Sequence, residues 1–416
     1  MLNKSGSQGT SNIGNLLLPS VCIYLLLVFL MPTTGHGWDN YCWRTWTEIV
    51  HRDGIAEAYA KGSPVNYPPL YLYVLKAYGW LVGTDNIPIY IHCLKAFTLL
   101  FDIGSMILLC YMLQPVERQV KFMVAGLVNI AFLYNTLIWN QVDGIMAFLI
   151  FASFLSAWNK RPLLSVFLFV LAVNFKLQSL FFLPVIAYLW LRQFNARLFL
   201  QMLALMLITE LVILAPFLVN GNAGQIVKVV VGSVGYFPKV GMNGFNSWYL
   251  VVDADPMEVR DSLPFILGLS YKTVGLILFF AFSALVCVPM YLRLLKKIPD
   301  GLDLRKLMLA SALLGYFFFY WNTQIHERYI HPVLIFSTGL AFLYGHWLQW
   351  ILTSMAYALS LEKVLQYLHF NNYHTLIFNP KFIATLYALA MFQLLYLWLN
   401  GYRKKSLPVV PGTSNT

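Results

Sequence analysis

Charged residues are scarce in this sequence. Of its 416 residues, 11% are Asp, Glu, Lys or Arg, whereas 59% are hydrophobic and 16% are aromatic. A soluble domain carries about 25% charged residues, and its interior cannot cover so much apolar surface. The composition therefore excludes a cytosolic enzyme, a disordered chain and a small disulfide scaffold. It predicts an all-α polytopic protein whose helices cross a membrane several times.

Cysteine is also rare, and the common metal-binding motifs are missing. The five cysteines are scattered without a C-x-x-C pair, so we interpret them as core residues. His326 and His331 are five residues apart, about 140° round a helix, which differs from the H-E-x-x-H spacing of zinc proteases. We predict no metal ligands and no cofactor. A divalent metal would be compatible with the site but is not required.

The basic residues do not form a surface for nucleic acid, although the formal net charge is +11. They fall in short clusters between apolar runs, the pattern that orients a membrane protein. With the N-terminus in the cytoplasm, the connections on that side contain Arg118, Lys121, Lys160, Arg161, Arg192, Arg197, Arg293, Lys296, Lys297, Arg305 and Lys306. We therefore predict a cytoplasmic N-terminus and no nucleic-acid partner.

The apolar runs predict a bundle of 11–12 transmembrane helices, since a span takes about 20 residues. The runs are 15–33, 88–113, 122–138, 142–158, 163–175, 177–192, 197–219, 272–294, 305–322, 330–349 and 381–400. Residues 350–380 fit either an interfacial helix or a twelfth span. The first run lacks an A-x-A cleavage site and is predicted to be an uncleaved helix.

This pattern divides the chain into three parts: a cytoplasmic tail (1–14), a transmembrane domain (15–402) and a polar tail (403–416). Arg403, Lys404 and Lys405 favour the cytoplasm, which would require an even number of spans. Two long segments, 34–87 and 220–271, then lie outside. Every remaining candidate for chemistry lies in one of these loops or at an outer helix end.

The first outer loop contains Asp39 at the start of an amphipathic pattern. Trp43, Trp46, Ile49 and Val50 recur at three- and four-residue spacing, which predicts a helix at the membrane surface. Two interpretations fit Asp39. Its carboxylate is either an N-cap that accepts backbone N–H groups or a functional acid.

Further polar residues lie at other outer helix ends. Lys176, in the break between the fifth and sixth runs, fits either an interfacial anchor or a phosphate ligand. His326, Glu327 and Arg328 form a cluster able to bind an anion such as phosphate. Asp253-Ala254-Asp255 mimics a D-x-D motif, but three residues recur by chance and we interpret them as a solvated loop. Inside the spans, Lys95 and Asp102 are two turns apart on one face, which fits an ion pair or a functional pair.

Taken together, these segments resemble the GT-C superfamily of membrane glycosyltransferases, and within it the mostly bacterial polyprenyl-phosphate-sugar (dolichyl-phosphate-mannose type) mannosyltransferases. The resemblance covers about residues 35–335. Its segments, in order, are Asp39-Asn40-Tyr41-Cys42-Trp43-Arg44-Thr45-Trp46, Tyr67-Pro68-Pro69-Leu70-Tyr71-Leu72-Tyr73, Trp139-Asn140-Gln141-Val142-Asp143, Phe175-Lys176-Leu177-Gln178 with Phe182-Leu183-Pro184, Asn243-Gly244-Phe245-Asn246-Ser247-Trp248, and His326-Glu327-Arg328-Tyr329.

The resemblance implies a mechanism and a set of site residues. Asp39 matches the general base that takes a proton from an acceptor hydroxyl, which then attacks the anomeric carbon of a lipid-phosphate-linked hexose with inversion. The donor phosphate would be bound by Arg328, His326 and Lys176. Residues implied to contact the sugar or the acceptor are Asn140, Gln141, Asp143, Tyr67, Asn246 and Trp248, with Trp38 or Trp43 as further stacking candidates.

The same resemblance implies the partners and the location. We expect a polyprenyl-phosphate-linked sugar donor, with mannose as the hexose that the resemblance implies. We also expect surrounding membrane lipids and an acceptor that is a lipid, a glycan or a protein. We expect a bacterial inner membrane, or the ER membrane in a eukaryote. The alternative function is a lipid or sugar transporter, against which stand the missing internal repeat and the concentration of polar residues at one face.

Overall fold

The computed structural model describes residues 13–112, 126, 129–233, 235–296 and 302–400, with side chains from residue 16 onward. Most of the predicted tail 1–14 and all of 403–416 lie outside these residues. So do Arg118, Lys121 and Lys297 and the first part of the predicted span 122–138.

The described chain is 74% helical with very little strand, which confirms the predicted all-α polytopic class. Its α-helices are α1 (Ile13–Leu30), α2 (Gly37–Arg52), α3 (Leu70–Val82), α4 (Ile87–Tyr90), α5 (Leu94–Cys110), α6 (Ile130–Leu133), α7 (Asp143–Trp158), α8 (Pro162–Phe175), α9 (Leu183–Leu191), α10 (Ala196–Val219), α11 (Ala223–Gly232), α12 (Trp248–Val251), α13 (Tyr271–Leu295), α14 (Leu304–Trp321), α15 (His331–Tyr344), α16 (Trp347–Leu365) and α17 (Pro380–Asn400).

Short elements connect these helices. The 3-10 turns are Ile55–Tyr59, Thr84–Asn86, Ile91–Cys93, Leu177–Phe182 and Leu376–Phe378, and Tyr134–Ile138 is a π-helical turn. Two short antiparallel strands, β1 (Pro264–Ile266) and β2 (Leu269–Ser270), form a hairpin immediately before α13.

Polar side chains mark where several long helices begin. Asn195 accepts a hydrogen bond from the N–H of Leu198 at the start of α10 (2.8 Å). Ser270 does the same at the start of α13 and Asp303 at the start of α14 (2.8 Å to the Lys306 N–H). Because the first N–H groups of a helix have no partner within the helix, such caps fix its first residue.

Four described helical segments are long and apolar enough to cross a membrane: Thr84–Cys110, Ala196–Val219, Tyr271–Leu295 and Pro380–Asn400. Shorter apolar helices complete the bundle. The ambiguous segment 350–380 contains helix α16, which packs against both α15 and α17, followed by a loop. Helix α16 is therefore part of the bundle. The fifth and sixth runs are two short helices, α8 and α9, interrupted at Lys176 as predicted.

The predicted pair of Lys95 and Asp102 does not form. The Lys95 ammonium donates to the carbonyls of Pro32 (2.8 Å) and Thr34 (2.5 Å), whereas Asp102 accepts from the hydroxyl of Thr136 (2.5 Å). The two charges lie on one face of α5, but each faces a different neighbour. Lys95 thus ties α5 to the segment that joins α1 to α2.

We expect Lys95→Met to lower the thermal unfolding midpoint in detergent. Lys95 is fully buried, and its loss leaves two carbonyl oxygens without a donor, which costs about 1–3 kcal/mol for each such group. Lys61→Met, at an exposed position, is the control. Equal midpoints for the two variants would contradict this account of Lys95.

Candidate active site

Four segments that are far apart in sequence meet at one end of the bundle. The first turn of α2 contributes Asp39, and the irregular segment before α7 contributes Trp139 and Gln141. The break after α8 contributes Lys176, and the loop between α14 and α15 contributes Arg328. The structure thereby brings together residues that the sequence suggested only one segment at a time.

Asp39 is held by side chains, not by the helix backbone. The N-cap of α2 is His36, which accepts from the Asp39 N–H, and Asp39 lies three residues further on. The interpretation of Asp39 as the cap is therefore wrong, because the carboxylate turns toward Trp139 and Gln141. Both donate to its Oδ2 at 2.7 Å, and His36 Nδ1 lies 3.0 Å from the same oxygen.

The other carboxylate oxygen of Asp39 is available. Among the residues that the structure describes, none hydrogen-bonds to Oδ1, and the nearest cationic atom is Arg328 Nη2 at 3.9 Å. Asp39 is 6% exposed. A buried carboxylate with one oxygen fixed and the other unoccupied can accept a proton from a hydroxyl placed beside it.

The charge of Asp39 is stabilised by its surroundings. Burial by itself would raise the pKa of the carboxyl, but the guanidinium of Arg328, the neighbouring His36 ring, the hydrogen bond of Trp139 and the positive end of α2 favour the anion. Together they hold the pKa of Asp39 well below its usual range. The side chain is therefore ionised at neutral pH.

Close packing places α2 against Trp139. His36 donates its N–H to the Trp139 carbonyl (2.9 Å), and the two rings stack at 4.7 Å. A Cβ on Gly35 would lie 3.0 Å from the same carbonyl oxygen. Only glycine allows this approach without displacing the backbone, which explains the Gly35-His36 pair before α2.

Arg328 is surrounded by three carboxylates. Its Nη1 donates to Glu327 (2.8 Å), Nη2 lies 3.9 Å from Asp39, and Nε lies 4.0 Å from Asp143 Oδ2. Neither Nε nor Asp143 Oδ2 has a hydrogen-bond partner among the described residues. Burial by itself would lower the pKa of Arg328, but Asp39 and Glu327 raise it above the usual range.

Lys176 and Asp143 form a buried ion pair, in which Nζ of the lysine lies 2.5 Å from Oδ1 of the aspartate. The Lys176 ammonium also lies over the ring of Tyr67, 5.2 Å from its centroid, within cation–π range. Tyr67 in turn packs against Trp43 and Trp46 of α2. The predicted phosphate ligand Lys176 and the predicted sugar contacts Tyr67 and Asp143 are therefore neighbours.

Burial shifts the pKa values of the histidine and the glutamate beside Arg328. Burial and the nearby charge of Arg328 lower the pKa of His326 well below its usual range, so its ring is neutral at pH 7. Burial raises the pKa of Glu327, although Arg328 opposes this shift. His326 can therefore donate a hydrogen bond to an anion but does not add a positive charge.

Three predicted sugar contacts have their polar groups engaged by protein. Asn140, at a φ of +70°, donates to the Asn40 side chain (2.7 Å). Asn246 donates to the carbonyls of Phe319 and Asn322, and the Trp248 indole N–H donates to the Trp321 carbonyl. These contacts join the loops around the site, and the roles of the three residues toward sugar stay predictions.

The stacking candidates differ in exposure. Trp43 and Trp248 are buried, and Trp43 donates to the Asn140 carbonyl. Trp38 is 67% exposed and has a ring face available. The sequence prediction missed His36 and Trp139 as site residues. Trp139 lies within a quoted segment, two residues before Gln141, and His36 lies three residues before Asp39.

The site gives no indication of a metal. Among the described residues, no group of three or more His, Cys, Asp or Glu side chains has the spacing that would hold an ion. Asp143 is paired with Lys176, and Glu327 with Arg328. That a divalent ion is compatible with the site but not required stays a prediction.

We expect Trp139→Phe to slow the sugar transfer that the resemblance implies by about tenfold, because Asp39 loses one of the donors that fix its orientation. The ring that stacks on His36 is retained, so the effect isolates the N–H group. Trp350→Phe removes a similar indole hydrogen bond, to Thr338, far along the chain from this cluster. Equal rates for both variants would show that the Trp139 hydrogen bond does not position the base.

Comparison with known proteins identifies the family. A family model described as ALG3 protein matches residues 15–229, just over half of the chain. The match includes Asp39, Tyr67, the 139–143 segment and Lys176. No curated protein matches the sequence.

The family match confirms several predictions at a coarser level. The chain is a glycosyltransferase of GT-C type, and an integral, multi-pass membrane protein. The transporter alternative is thereby set aside. The match does not confirm the bacterial affiliation, which stays a prediction. Members of the family are ER membrane enzymes. The chain belongs to the ALG3 protein family of membrane mannosyltransferases, which use a dolichyl-linked donor.

Proposed function

We propose that this mannosyltransferase transfers mannose from dolichyl phosphate mannose to a hydroxyl of a lipid-linked oligosaccharide, with inversion, at the lumenal or extracytoplasmic face. The observation that carries the proposal is Asp39, with Oδ2 fixed by the hydrogen bonds of Trp139 and Gln141 and Oδ1 open beside Arg328. The family uses lipid-linked oligosaccharide acceptors, which supports the acceptor class.

In the proposed reaction Asp39 is the general base. The acceptor hydroxyl gives its proton to Asp39 Oδ1 while its oxygen forms a bond to the anomeric carbon of the donor. The bond between that carbon and the phosphate oxygen breaks, and dolichyl phosphate leaves with the electron pair. Attack from the side opposite the phosphate inverts the configuration. Because phosphate is a good leaving group, no general acid is needed.

Arg328 is the proposed ligand of the departing phosphate. Its Nε and Nη2 have no acceptor at hydrogen-bonding distance among the described residues, so a phosphate oxygen can accept from both. Preorganised donors of this kind stabilise the charge that develops on a leaving group. Lys176 and the neutral His326 would add hydrogen bonds to the phosphate.

Donor binding would also change the basicity of Asp39. A carboxylate with a strongly depressed pKa is a weak proton acceptor. When the donor phosphate engages Arg328, Asp39 shares that guanidinium with a second anion, and the stabilisation of its charge weakens. Asp39 then becomes more basic at the moment when the donor is in place.

The experiment that tests this function measures mannose transfer by the purified protein in detergent. The donors are dolichyl phosphate mannose and dolichyl phosphate glucose, and the acceptor is a lipid-linked oligosaccharide. We expect release of dolichyl phosphate from the mannose donor alone. Release from the glucose donor instead would contradict the proposed sugar.

We expect Asp39→Asn to reduce turnover by at least about 10²-fold, the scale of general-base catalysis, while the donor still binds. Asp53→Asn, at an exposed position paired with Arg52, is the control and should retain wild-type turnover. Near-normal turnover in Asp39→Asn would remove Asp39 from the mechanism.

We expect Arg328→Met to move the acid limb of the kcat/KM profile to higher pH. Without the guanidinium, burial dominates and raises the pKa of Asp39, so the base is protonated at pH values where the wild type is still ionised. The same variant should raise the KM for the donor. The profile is measured between about pH 5 and 8, because kcat/KM reports ionisation of the free enzyme.

Arg328→Lys is the matched control for this profile. It retains the positive charge and should leave the acid limb near its wild-type position, although it loses the geometry that two guanidinium nitrogens provide. An acid limb that is identical in Arg328→Met and in the wild type would refute the electrostatic link between the two residues.

A further inference from the structure

A cleft of about 470 Å³ lies beside the catalytic cluster, within the usual range of ligand pockets, about 300–1,000 Å³. Its floor is apolar and is formed by Phe245, Tyr249 and Val252. Its rim is polar and includes Asp253 and Asp255, the pair interpreted from sequence as a solvated loop. Helices α16 and α17 complete the rim.

The cleft contacts the catalytic cluster through one of its lining residues. Asn243 lines the cleft, and its backbone pairs with His326. Next to it, the N–H of Gly244 donates to the Ile325 carbonyl (2.9 Å), and a Cβ at Gly244 would lie 2.4 Å from that oxygen. The wall of the cleft and the loop that carries Arg328 are therefore in direct contact.

The charges around the rim balance. The lining includes two carboxylates, Asp253 and Asp255, and two ammonium groups, Lys363 and Lys381. A cleft with no net charge favours neither an anion nor a cation. An apolar floor with charged hydrogen-bonding groups around it suits an uncharged polyol, whose C–H faces pack on the floor while its hydroxyls meet the rim.

Several rim groups are held in place, and others are open. Asp255 accepts from the Met257 N–H (3.0 Å), Lys363 donates to the Tyr373 carbonyl (2.7 Å), and Asn379 accepts from the Lys381 N–H (2.8 Å). Among the described residues, none of the hydrogen bonds involves the Asp253 carboxylate. Asp253 and the Lys381 ammonium are exposed at the rim.

We propose that this cleft binds sugar residues of the acceptor oligosaccharide away from the reacting hydroxyl. The inference rests on the proposed transfer to a lipid-linked oligosaccharide. Binding in the cleft would hold the glycan while its acceptor hydroxyl reaches Asp39 past Asn243 and His326.

The test uses the full-length protein with Asp253→Ala and Lys381→Ala combined. We expect the KM for the lipid-linked oligosaccharide to rise about tenfold, the effect of losing a hydrogen bond to a charged group. The kcat and the KM for dolichyl phosphate mannose should not change. Glu258→Ala is the matched control, since Glu258 is an exposed carboxylate of the same loop outside the cleft.

A second acceptor distinguishes an effect on binding in the cleft from an effect on the transfer reaction. For a lipid-linked acceptor with a single sugar, the double variant and the wild type should have the same KM, because such an acceptor does not reach the cleft. An unchanged KM for the full oligosaccharide, or an equal loss with both acceptors, would overturn the proposal.

Binding of mannotriose, measured by saturation-transfer NMR, tests the cleft without turnover. We expect the wild type and Glu258→Ala to bind and the double variant to bind about tenfold more weakly. Absence of saturable binding to the wild type up to about 10 mM, where ligands with Kd near 1 mM saturate, would overturn the proposal that the cleft binds sugar residues. Absence of mannose transfer alongside normal mannotriose binding would instead contradict the proposed function.

Discussion

The site depends on one buried guanidinium and the carboxylates around it. Arg328 is close to Glu327, Asp39 and Asp143, which come from three different parts of the chain. A charge removed from water is costly unless it is paired. Asp39 and Glu327 are therefore compensated by the arginine, Asp143 is compensated mainly by Lys176, and the arginine is compensated by the acids. This mutual compensation brings α2, α7 and the loop before α15 to one place.

The same arrangement keeps the arginine reactive. Within the part of the chain that the structure describes, Nη1 alone makes a close hydrogen bond, to Glu327, and the distances to Asp39 and Asp143 are near 4 Å. The guanidinium is compensated in charge but not satisfied in hydrogen bonds. A phosphate oxygen can complete its coordination without first displacing a strong partner, which is the type of preorganisation that favours a transition state over a resting state.

Much of this could be predicted from the sequence, because apolar runs and short motifs are local features. The interruption at Lys176 and the amphipathic pattern after Asp39 both correspond to the structure. Partners across the bundle are not local, however. The seven-residue spacing of Lys95 and Asp102 places them on one face of α5 but does not reveal that Pro32, Thr34 and Thr136 lie nearer.

The acid at the start of α2 shows the same limit. Its position suggested that Asp39 is the N-cap of α2, but the N-cap in the structure is His36. The π-helical turn brings Trp139 next to α2, and the Asp39 carboxylate turns toward Trp139. Asn246 and Trp248 belong to a segment that resembles a site motif, yet their donors are used to join loops. A motif identifies a region, and the backbone around it decides which side chains face a substrate.

The distance along the chain between Asp39 and Arg328 has a consequence for biosynthesis. Roughly 290 residues separate them, so the first helices enter the membrane long before the arginine is synthesised, since chains fold progressively from the N-terminus. During that interval Asp39 has no guanidinium beside it. A nascent chain that stops before α15 would therefore contain this acid without the arginine that stabilises its charge.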